Sequence, residues 1–498
     1  MESPSSASAE GVRIPGNDGA AVGQAPLGEW HPAERVSVVI PAYGDQAALD
    51  LTLAALSAQT YPAELLEVVV VDDGSDPPLR LPELRPEDTR LVVNDSGRWG
   101  IAGAVDTAVR GSSGPIVLRL DSDVIPGPAH VEAHARWHAL ADYLVVIGKL
   151  AFAEVEVGEL DPGRVREAVS ADRTRSLFGD ASVSEDWEIA LVRESGGVVT
   201  DPVRAFTIAN GATISFSRAM YEDCGGMDTS LRLGSDTELG YRMSQHGALF
   251  VADAEAEVWH LGASQMKSRR DEGKRYRHPF LSNRVPALRH LRSQPGRAWE
   301  VPYVRAVIEV GGARLEPVRA TVNSLLSSTI SDIEVALVGP WDELTEDRVA
   351  PLADPLLDLR LIRETFRGDG RVTFPSKAPE PAPPVPFRLW LEPGMELRRE
   401  GLAGLIAHAD ERRLGRVEVT VPTRVKPLSA RLDRTAALSR AARLRKAGES
   451  FEDLLHELWG IASAPGNAWF EDLMPGSAAR RSSLPRLMAR RVRRILGR

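Results

Sequence analysis

One cysteine, Cys224, stands in 498 residues, which excludes an intrachain disulfide and any cysteine-cluster metal site and suits a reducing cytoplasm. Aromatic residues make up only 6%, and no run approaches the roughly 20 apolar residues a membrane-spanning helix needs, so membrane contact has to be peripheral. Positive charge is short as well. The 60 Lys and Arg against 70 Asp and Glu leave a net charge of −10, which argues against nucleic acid as a partner, because such faces need clustered cations to displace counterions. The opening MESPSSASAEGVRIPGNDGA has no basic n-region and no apolar core, and 1–34 reads as a disordered tail rather than a secretion signal. What is present is ordinary globular composition, 43% hydrophobic and 26% charged, over a length that predicts two units with tails.

The first half alternates buried-strand runs with helical spacing. Val36–Pro41 is a β-branched run, Leu49, Leu53 and Leu56 fall on one face of a helix over 46–59, and Glu67–Asp73 is a second buried strand, which together make a βαβ unit. Arg90–Val93, a Gly- and Ala-rich helix over 100–110, and Pro115–Leu120 continue an α/β domain. Polar sequence over 154–204 reads as an inserted lobe with a short helix at 162–175. Regular structure returns over 206–216, followed by a helix from Arg218, a helix over 236–246 and a strand pair ending at Val258-Trp259-His260. The polar, basic stretch from Lys267 to Trp299 looks like connecting chain, with the linker itself set at 286–300.

The second half repeats the first in weakened form. Val304–Ile308 resembles Val36–Ile40, and Glu334–Val338 resembles Glu67–Val71 at nearly the same offset. Leu391-Glu-Pro-Gly394 stands where Leu120-Asp-Ser-Asp123 would be, and Ser439-Arg-Ala441 echoes Ser217-Arg-Ala219 at a shorter offset, as though the inserted lobe were missing. Gly339-Pro340 replaces Asp72-Asp73, and Pro375–Pro386 can form neither helix nor central strand. The chain therefore divides into a disordered tail 1–34, a catalytic domain 35–285, a linker 286–300, a degenerate domain of the same kind 301–475, and a basic amphipathic tail 476–498. An unrelated α/β or α+β second domain is the alternative.

Ligands of open parallel sheets sit beyond the carboxyl ends of the strands, where Asp72-Asp73 and Asp121-x-Asp123 both fall. Closely spaced carboxylates after a buried strand suit a hard divalent cation, Mg2+ or Mn2+, that would hold a nucleotide diphosphate. Two Asp near a turn can also be merely solvated.

The motifs Val36-Ser-Val-Val-Ile-Pro-Ala-Tyr43, Val70-Val-Asp-Asp-Gly-Ser75, Asp121-Ser-Asp123 and Gly234-Ser-Asp-Thr-Glu-Leu-Gly-Tyr-Arg242 occur in this order over 35–265. The combination resembles family 2 glycosyltransferases of the GT-A fold, the Rossmann-like nucleotide-diphospho-sugar transferase architecture. Around Asn210–Arg242 it also resembles the galactosyltransferase-like C-terminal module of polysaccharide synthases. The resemblance implies a GT-A domain followed by a degenerate GT-A-like α/β domain. It implies inverting transfer of a sugar from a nucleotide-diphosphate donor, a UDP-sugar, to a hydroxyl of a glycan or lipid-linked acceptor.

Residue by residue, it implies that Pro41, Ala42 and Tyr43 line the base and that Asp73 accepts the imide N–H of uracil. Asp121 would contact ribose or metal, Asp123 and His260 would bind metal, and Asn210-Gly211 would form the donor-sugar turn. The family's Arg-Asn pair is Val105-Asp106 here, which leaves Arg98 as substitute for the diphosphate. Asp236 would be the catalytic base, although Ser235 departs from the family's Glu. Each has a plainer reading: Asp73 as a turn residue, Asp236 as an N-cap, His260 as structural, Gly211 as an ordinary turn.

Arg480–Arg498 carries many Arg and no acid, with Leu484, Leu487, Met488, Val492, Ile495 and Leu496 at helical spacing. It suits an anionic membrane surface at the inner face of the cell membrane, or a solvated tail docked on the acidic body. Two rival functions remain at this point. One is a sugar nucleotidyltransferase, which should open with a Gly-rich phosphate loop that Pro41–Asp45 does not supply; the other is a catalytically inactive glycan-binding scaffold.

Overall fold

Strands that are β-branched throughout, without polar alternation, have to be covered on both faces. In chain order the strands of the first half are β1 (Val36–Ala42), β2 (Leu66–Asp72), β3 (Thr89–Val93), β4 (Ile116–Leu120), β5 (Val124–Pro126), β6 (Leu144–Ala153), β7 (Val183–Glu185), β8 (Thr213–Ser217) and β9 (Leu249–Leu261). Every residue of β1, β2 and β4 is buried. Each large apolar side chain among them contributes roughly 1.5–3 kcal/mol of transfer free energy. The computed structural model describes residues 12–15, 24–179, 183–185, 205–262, 269–345 and 350–473. Contacts divide the chain into two units, Met1–Arg277 and His278–Arg498.

The sheet of the first unit runs β3-β2-β1-β4-β8-β6-β9-β5, with β7 beside β6. β1 lies parallel to β2 and β4, β8 is antiparallel to β4 and β6, and β9 is parallel to β6. Its helices are α1 (Gln46–Leu56), α2 (Ile101–Gly111), α3 (His130–His138), α4 (Pro162–Ser170), α5 (Arg218–Asp223) and α6 (Ser235–Gln245). The Asp45 carboxylate starts α1 by accepting the Ala48 N–H at 3.0 Å, and Leu49, Leu53 and Leu56 join β1 and β2 in one core.

Where a strand pair was expected before His260 there is one 13-residue strand, β9, whose register against β6 shifts at Gly148/Lys149. The short β5 was not anticipated. It pairs Val124 with His260 and so brings that histidine to the Asp121–Asp123 turn.

Part of the expected tail is not a tail. Val12 and Ile14 hydrogen-bond the Tyr143 hydroxyl through their backbone (2.6 and 3.2 Å), Gly28 N–H donates to Glu132 (2.7 Å), and Trp30 stacks on Tyr61. A buried Tyr and a buried Glu each need a partner, and these segments supply it; residues 1–11 and 16–23 lie outside the described set.

A polar spine fixes α3 to β8. The Glu257 carbonyl can only accept, so the His130 Nδ1–H donates to it (3.1 Å) and the His130 Nε2 accepts from Thr213 (3.3 Å). The same accounting makes His134 Nε2–H donate to Thr213 (3.0 Å), Ser215 donate to His134 Nδ1 (2.9 Å), and His138 Nε2–H donate to Ser215 (2.8 Å). All three rings are thus neutral. Burial pushes His130 down to about 4 and His138 to about 3, and His134 well below the usual range.

In the second unit, β10 (Val304–Glu309), β11 (Ile333–Val338), β12 (Val372–Thr373), β13 (Phe387–Leu391), β14 (Arg416–Val421), β15 (Leu428–Arg434) and β16 (Ile461–Pro465) form a sheet in the order β12-β11-β10-β13-β15-β14-β16. Position for position this is β3-β2-β1-β4-β8-β6-β9, with the same strand directions. The offset is 268 residues from Val36 to Val304 and 271 from Ile116 to Phe387. From Ser217 to Arg434, each opposite the first residue of its partner strand, it is 217. The echo at Ser439, 222 residues after Ser217, is therefore out of register. Its premise holds, because β14 and β15 are joined by residues 422–427 alone, where β6 and β8 are separated by 154–212. β7 has no counterpart among the described residues, β5 is reduced to a single antiparallel bridge between Leu397 and Phe470, and a Pro-rich loop over 375–386 stands where the first unit has α2.

The stretch 286–300 is packed rather than a free linker. Asp332, almost wholly buried, accepts from Arg289 (2.8 Å to Nη2) and Arg292 (3.0 Å), and the guanidinium groups of Arg292 and Arg297 lie 4.7 and 4.4 Å from the Trp299 ring centre. Upstream, 270–284 is a helix.

Candidate active site

Thr52, fully buried on α1, holds the Asp121–Asp123 turn in place. Its hydroxyl lies 2.9 and 2.8 Å from the Ser122 and Val124 carbonyls and accepts the Val124 N–H at 3.2 Å. Beside this turn the Leu261 N–H donates to the Asp123 carbonyl at 2.9 Å, extending β9 onto it. Asp121, Asp123 and His260 each then offer one ligand atom, all within 4.8 Å of one another.

His260 is set up as a nitrogen ligand. Its Nδ1–H donates to the Leu261 carbonyl (3.1 Å), leaving the lone pair on Nε2, 3.4 Å from an Asp123 oxygen. Burial raises the Asp123 carboxyl to about 6; a protonated His260 would oppose the rise, while the charges of Asp121 and Asp45 add to it. Crowded carboxylates and a neutral imidazole form a donor set that a divalent cation fits and would stabilise. Among the described residues no other His, Cys, Asp or Glu group has this geometry.

Arg119 was not anticipated. It lies in β4, buried like the strand's apolar residues, and its guanidinium joins the two carboxylates on which the chemistry was expected to depend. Nη2 donates to Asp121 at 2.9 Å and Nη1 donates to Asp236. Both charges hold the arginine protonated against the burial that opposes it. The available signal was a single charged residue inside Ile116-Val-Leu-Arg-Leu120, since a buried arginine needs acidic partners.

Asp236 is not an N-cap. Gly234, at φ 85°, is the capping residue of α6, and Asp236 lies in the first turn, where the helix dipole favours a carboxylate. Behind it Glu238 receives a two-pronged bond from Arg242 (2.6 and 2.7 Å), and Arg242 also donates to the Cys224 carbonyl, which ties α6 to the end of α5.

Where the nucleotide was expected, Pro41 and Ala42 finish β1, and Tyr43 is 58% exposed. Asp73 is buried with both oxygens engaged, one by Asn94 Nδ2 (2.5 Å) and one by Gly100 N–H (2.7 Å), so in this structure it holds the 94–100 turn that starts α2. Exposed Trp99 on that turn meets Tyr43 edge-on at 5.5 Å, with Arg232 5.9 Å from its ring. Arg98 is exposed beside it, and its carbonyl accepts from Asn94. Asp106, at the departure from the family pair, accepts from Tyr221 (2.9 Å) and Arg110 (3.0 Å).

Asn210 caps its own turn, its side chain accepting the Ala212 N–H at 3.0 Å. A Cβ on Gly211 would lie 1.2 Å from Nη1 of Arg119, so the glycine is explained here by the guanidinium lying against it.

At the equivalent place in the second unit Glu392 is bound by Lys426 (3.0 Å) and by the Ser429 N–H (3.3 Å), and Gly394 has φ 96° and no carboxylate.

Residues 37–193 match the family model described as Glycosyl transferase family 2. Validoxylamine A glucosyltransferase of Streptomyces hygroscopicus subsp. limoneus is 30% identical over 231 residues, 44% of this chain and 50% of that protein. The uncharacterized glycosyltransferase YfnE of Bacillus subtilis is 34% identical over 247 residues, 43% of this chain and 62% of that one. The chain thus spans between half and two thirds of the length of these relatives. Among solved structures, the mannosyltransferase PcManGT of Pyrobaculum calidifontis, in complex with GDP-Man and Mn2+, aligns over 53% of this chain and 61% of that one. Its identity is 20% and its TM-score 0.30.

Proposed function

We propose, from the premise that residues 37–193 are a family 2 glycosyl transferase domain, that the first unit moves a sugar from a nucleotide-diphosphate donor to a hydroxyl of a glycan or lipid-linked acceptor. The observation that carries this reading is the joining of Asp121, beside Asp123 and His260, to Asp236 through one buried arginine. It supports a hard-cation site and a proton acceptor on the same edge of the sheet. Asp121, Asp123 and His260 would hold Mn2+ or Mg2+, which when bound neutralises diphosphate charge as the donor bond breaks. The imidazole ligand favours Mn2+ over Mg2+. Asp236 takes the acceptor's proton as its oxygen attacks the anomeric carbon from the face opposite the leaving diphosphate, so one displacement inverts the configuration.

Pro41, Ala42 and Tyr43 bound the base end, Asp73 reads the imide of uracil, Arg98 serves the diphosphate, and Asn210-Gly211 border the donor sugar. A UDP-hexose donor is supported by Asp73 and by likeness to a glucosyltransferase. The test is calorimetry of UDP and GDP with Mn2+, then turnover on UDP-glucose, UDP-galactose, UDP-N-acetylglucosamine and GDP-mannose. A folded chain that binds neither nucleotide refutes the proposal.

No helix of the described residues is long and apolar enough to cross a membrane. Residues 480–498 lie outside the described set, and peripheral contact with anionic lipid at the inner face of the cell membrane is proposed from their sequence. Removing them should abolish sedimentation with phosphatidylglycerol vesicles; equal sedimentation of both forms refutes the contact.

A further inference from the structure

We infer that Arg119 is a positioning residue that sets the base Asp236 in register with the cation-side Asp121, and that Gly211 is present to seat it. The inference rests on the transferase reading above and names two residues that reading does not use for chemistry.

Three observations converge. The Arg119 side chain is 4% exposed, so donor and acceptor do not reach it, and whatever it does it does through its partners. Those partners are the two carboxylates on either side of the reaction: Asp121 at the end of β4 and Asp236 in the first turn of α6, 115 positions apart in sequence. A planar guanidinium with both Nη atoms engaged fixes the distance and orientation of the two carboxylates, which a lysine ammonium cannot do. Third, the seat is shaped for it. A Cβ at residue 211 would fall 1.2 Å from Nη1, 2.0 Å from Cζ and 2.5 Å from Nη2, so any side chain there evicts the whole fork. Gly211 begins the run into β8, whose Thr213 pairs with Leu120, the residue after Arg119, so seat and fork sit on neighbouring strands of one rigid sheet.

The charges give the inference a signature that general loosening lacks. Arg119 competes with a cation for Asp121 and adds a like charge beside it. Losing the fork should therefore leave Mn2+ affinity unchanged or tighter while slowing transfer, because Asp236 is no longer held.

The experiment measures, on the full chain, Mn2+ and UDP affinity by calorimetry, and UDP release from whichever sugar nucleotide of the panel above turns over. The variants are Arg119→Gln, Arg119→Lys, Gly211→Ala, Asp236→Asn and the Arg119→Gln/Asp236→Asn pair, each checked by thermal unfolding. Expected are a kcat loss of about 10- to 100-fold for Arg119→Gln and for Gly211→Ala, partial recovery in Arg119→Lys, and Mn2+ affinity no weaker than in the unsubstituted chain. In the Asp236→Asn background the Arg119→Gln change should cost less than threefold, since its effect passes through Asp236. Should Arg119→Gln fail to fold, Gly211→Ala carries the test.

Rates retained in both Arg119→Gln and Gly211→Ala while Asp236→Asn is slow would overturn the inference alone. A fully additive cycle, or Mn2+ affinity weakened together with rate, also overturns it. An unsubstituted chain inert toward every sugar nucleotide, or an Asp236→Asn variant at full rate, overturns the transferase reading itself.

Discussion

Replacing Asp236 by Asn removes one negative charge and the proton-accepting oxygen but keeps the shape and an amide oxygen that can still face Arg119. If Asp236 takes the acceptor's proton, transfer loses general-base assistance worth about 10²–10⁴-fold in kcat, which at about 1.36 kcal/mol per decade is roughly 3–5 kcal/mol of barrier. Donor binding uses other residues, so UDP affinity with Mn2+ should stay within about threefold.

The structure also sets a stability cost, because the buried guanidinium of Arg119 keeps Asp121 but exchanges a charged partner for a neutral one. A hydrogen bond to a charged group contributes about 1.5–3 kcal/mol and the amide restores part of it, so about 1–2 kcal/mol should be lost, or a melting temperature lower by about 3–6 °C. The assay is steady-state UDP release with calorimetry on the same sample at a temperature where both proteins are folded. An unchanged kcat would show that the proton goes elsewhere. A rate loss explained wholly by lost UDP affinity would show that Asp236 binds donor instead.

Asp123→Ala should weaken Mn2+-dependent UDP binding by at least about 100-fold with the fold intact, read by calorimetry; undiminished affinity refutes the metal assignment. Glu392→Gln, at the equivalent position of the second unit, should leave kcat within twofold, because Lys426 and Ser429 are its partners and no carboxylate stands at Gly394; a large rate loss in the folded variant contradicts a silent second unit. The histidines of the α3 spine have depressed folded pKa values, so their stability contribution is complete above the unfolded value of about 6.5 and falls as pH drops toward 4. Three such groups give a limiting slope of about 4 kcal/mol per pH unit below about pH 5.5 and a loss of about 6 kcal/mol in all between pH 7 and 5; urea midpoints over that range should follow it, and His138→Gln should lower the loss by about a third, whereas an unchanged loss refutes the neutral spine.

Much of the frame was legible because it depends on local pattern. Val36–Ala42, Leu66–Asp72 and Ile116–Leu120 are runs that fit nothing but covered strands, and the second unit repeats their spacing. Asp121 and Asp123 were legible because strand-end carboxylates face the ligand edge of such a sheet. Arg119 and the role of Gly211 were not, since a contact between residues 119, 211 and 236 exists only after three separate elements have packed. His260 reaches Asp123 through β5, three residues too short to announce itself by periodicity. The N-terminal segments and residues 286–300 read as tail and linker for a similar reason. Their polar composition is locally indistinguishable from solvated chain, and distant partners, Tyr143, Glu132 and Asp332, hold them.

The two sheets show where, within one polypeptide, architecture and reactivity are stored. Neighbour choice among strands is written redundantly across the core, so it survives in the second copy although the acidic tips have been replaced. The proposed chemistry rests instead on a few side chains and on the three-residue strand β5, which pairs with β9 at His260. Restoring two aspartates at 392 and 394 would not rebuild the same donor set: the Leu397–Phe470 bridge keeps the place of β5, but by its register an acid, Asp472, falls opposite Met395 where His260 falls opposite Val124, so no nitrogen ligand is brought to the tip.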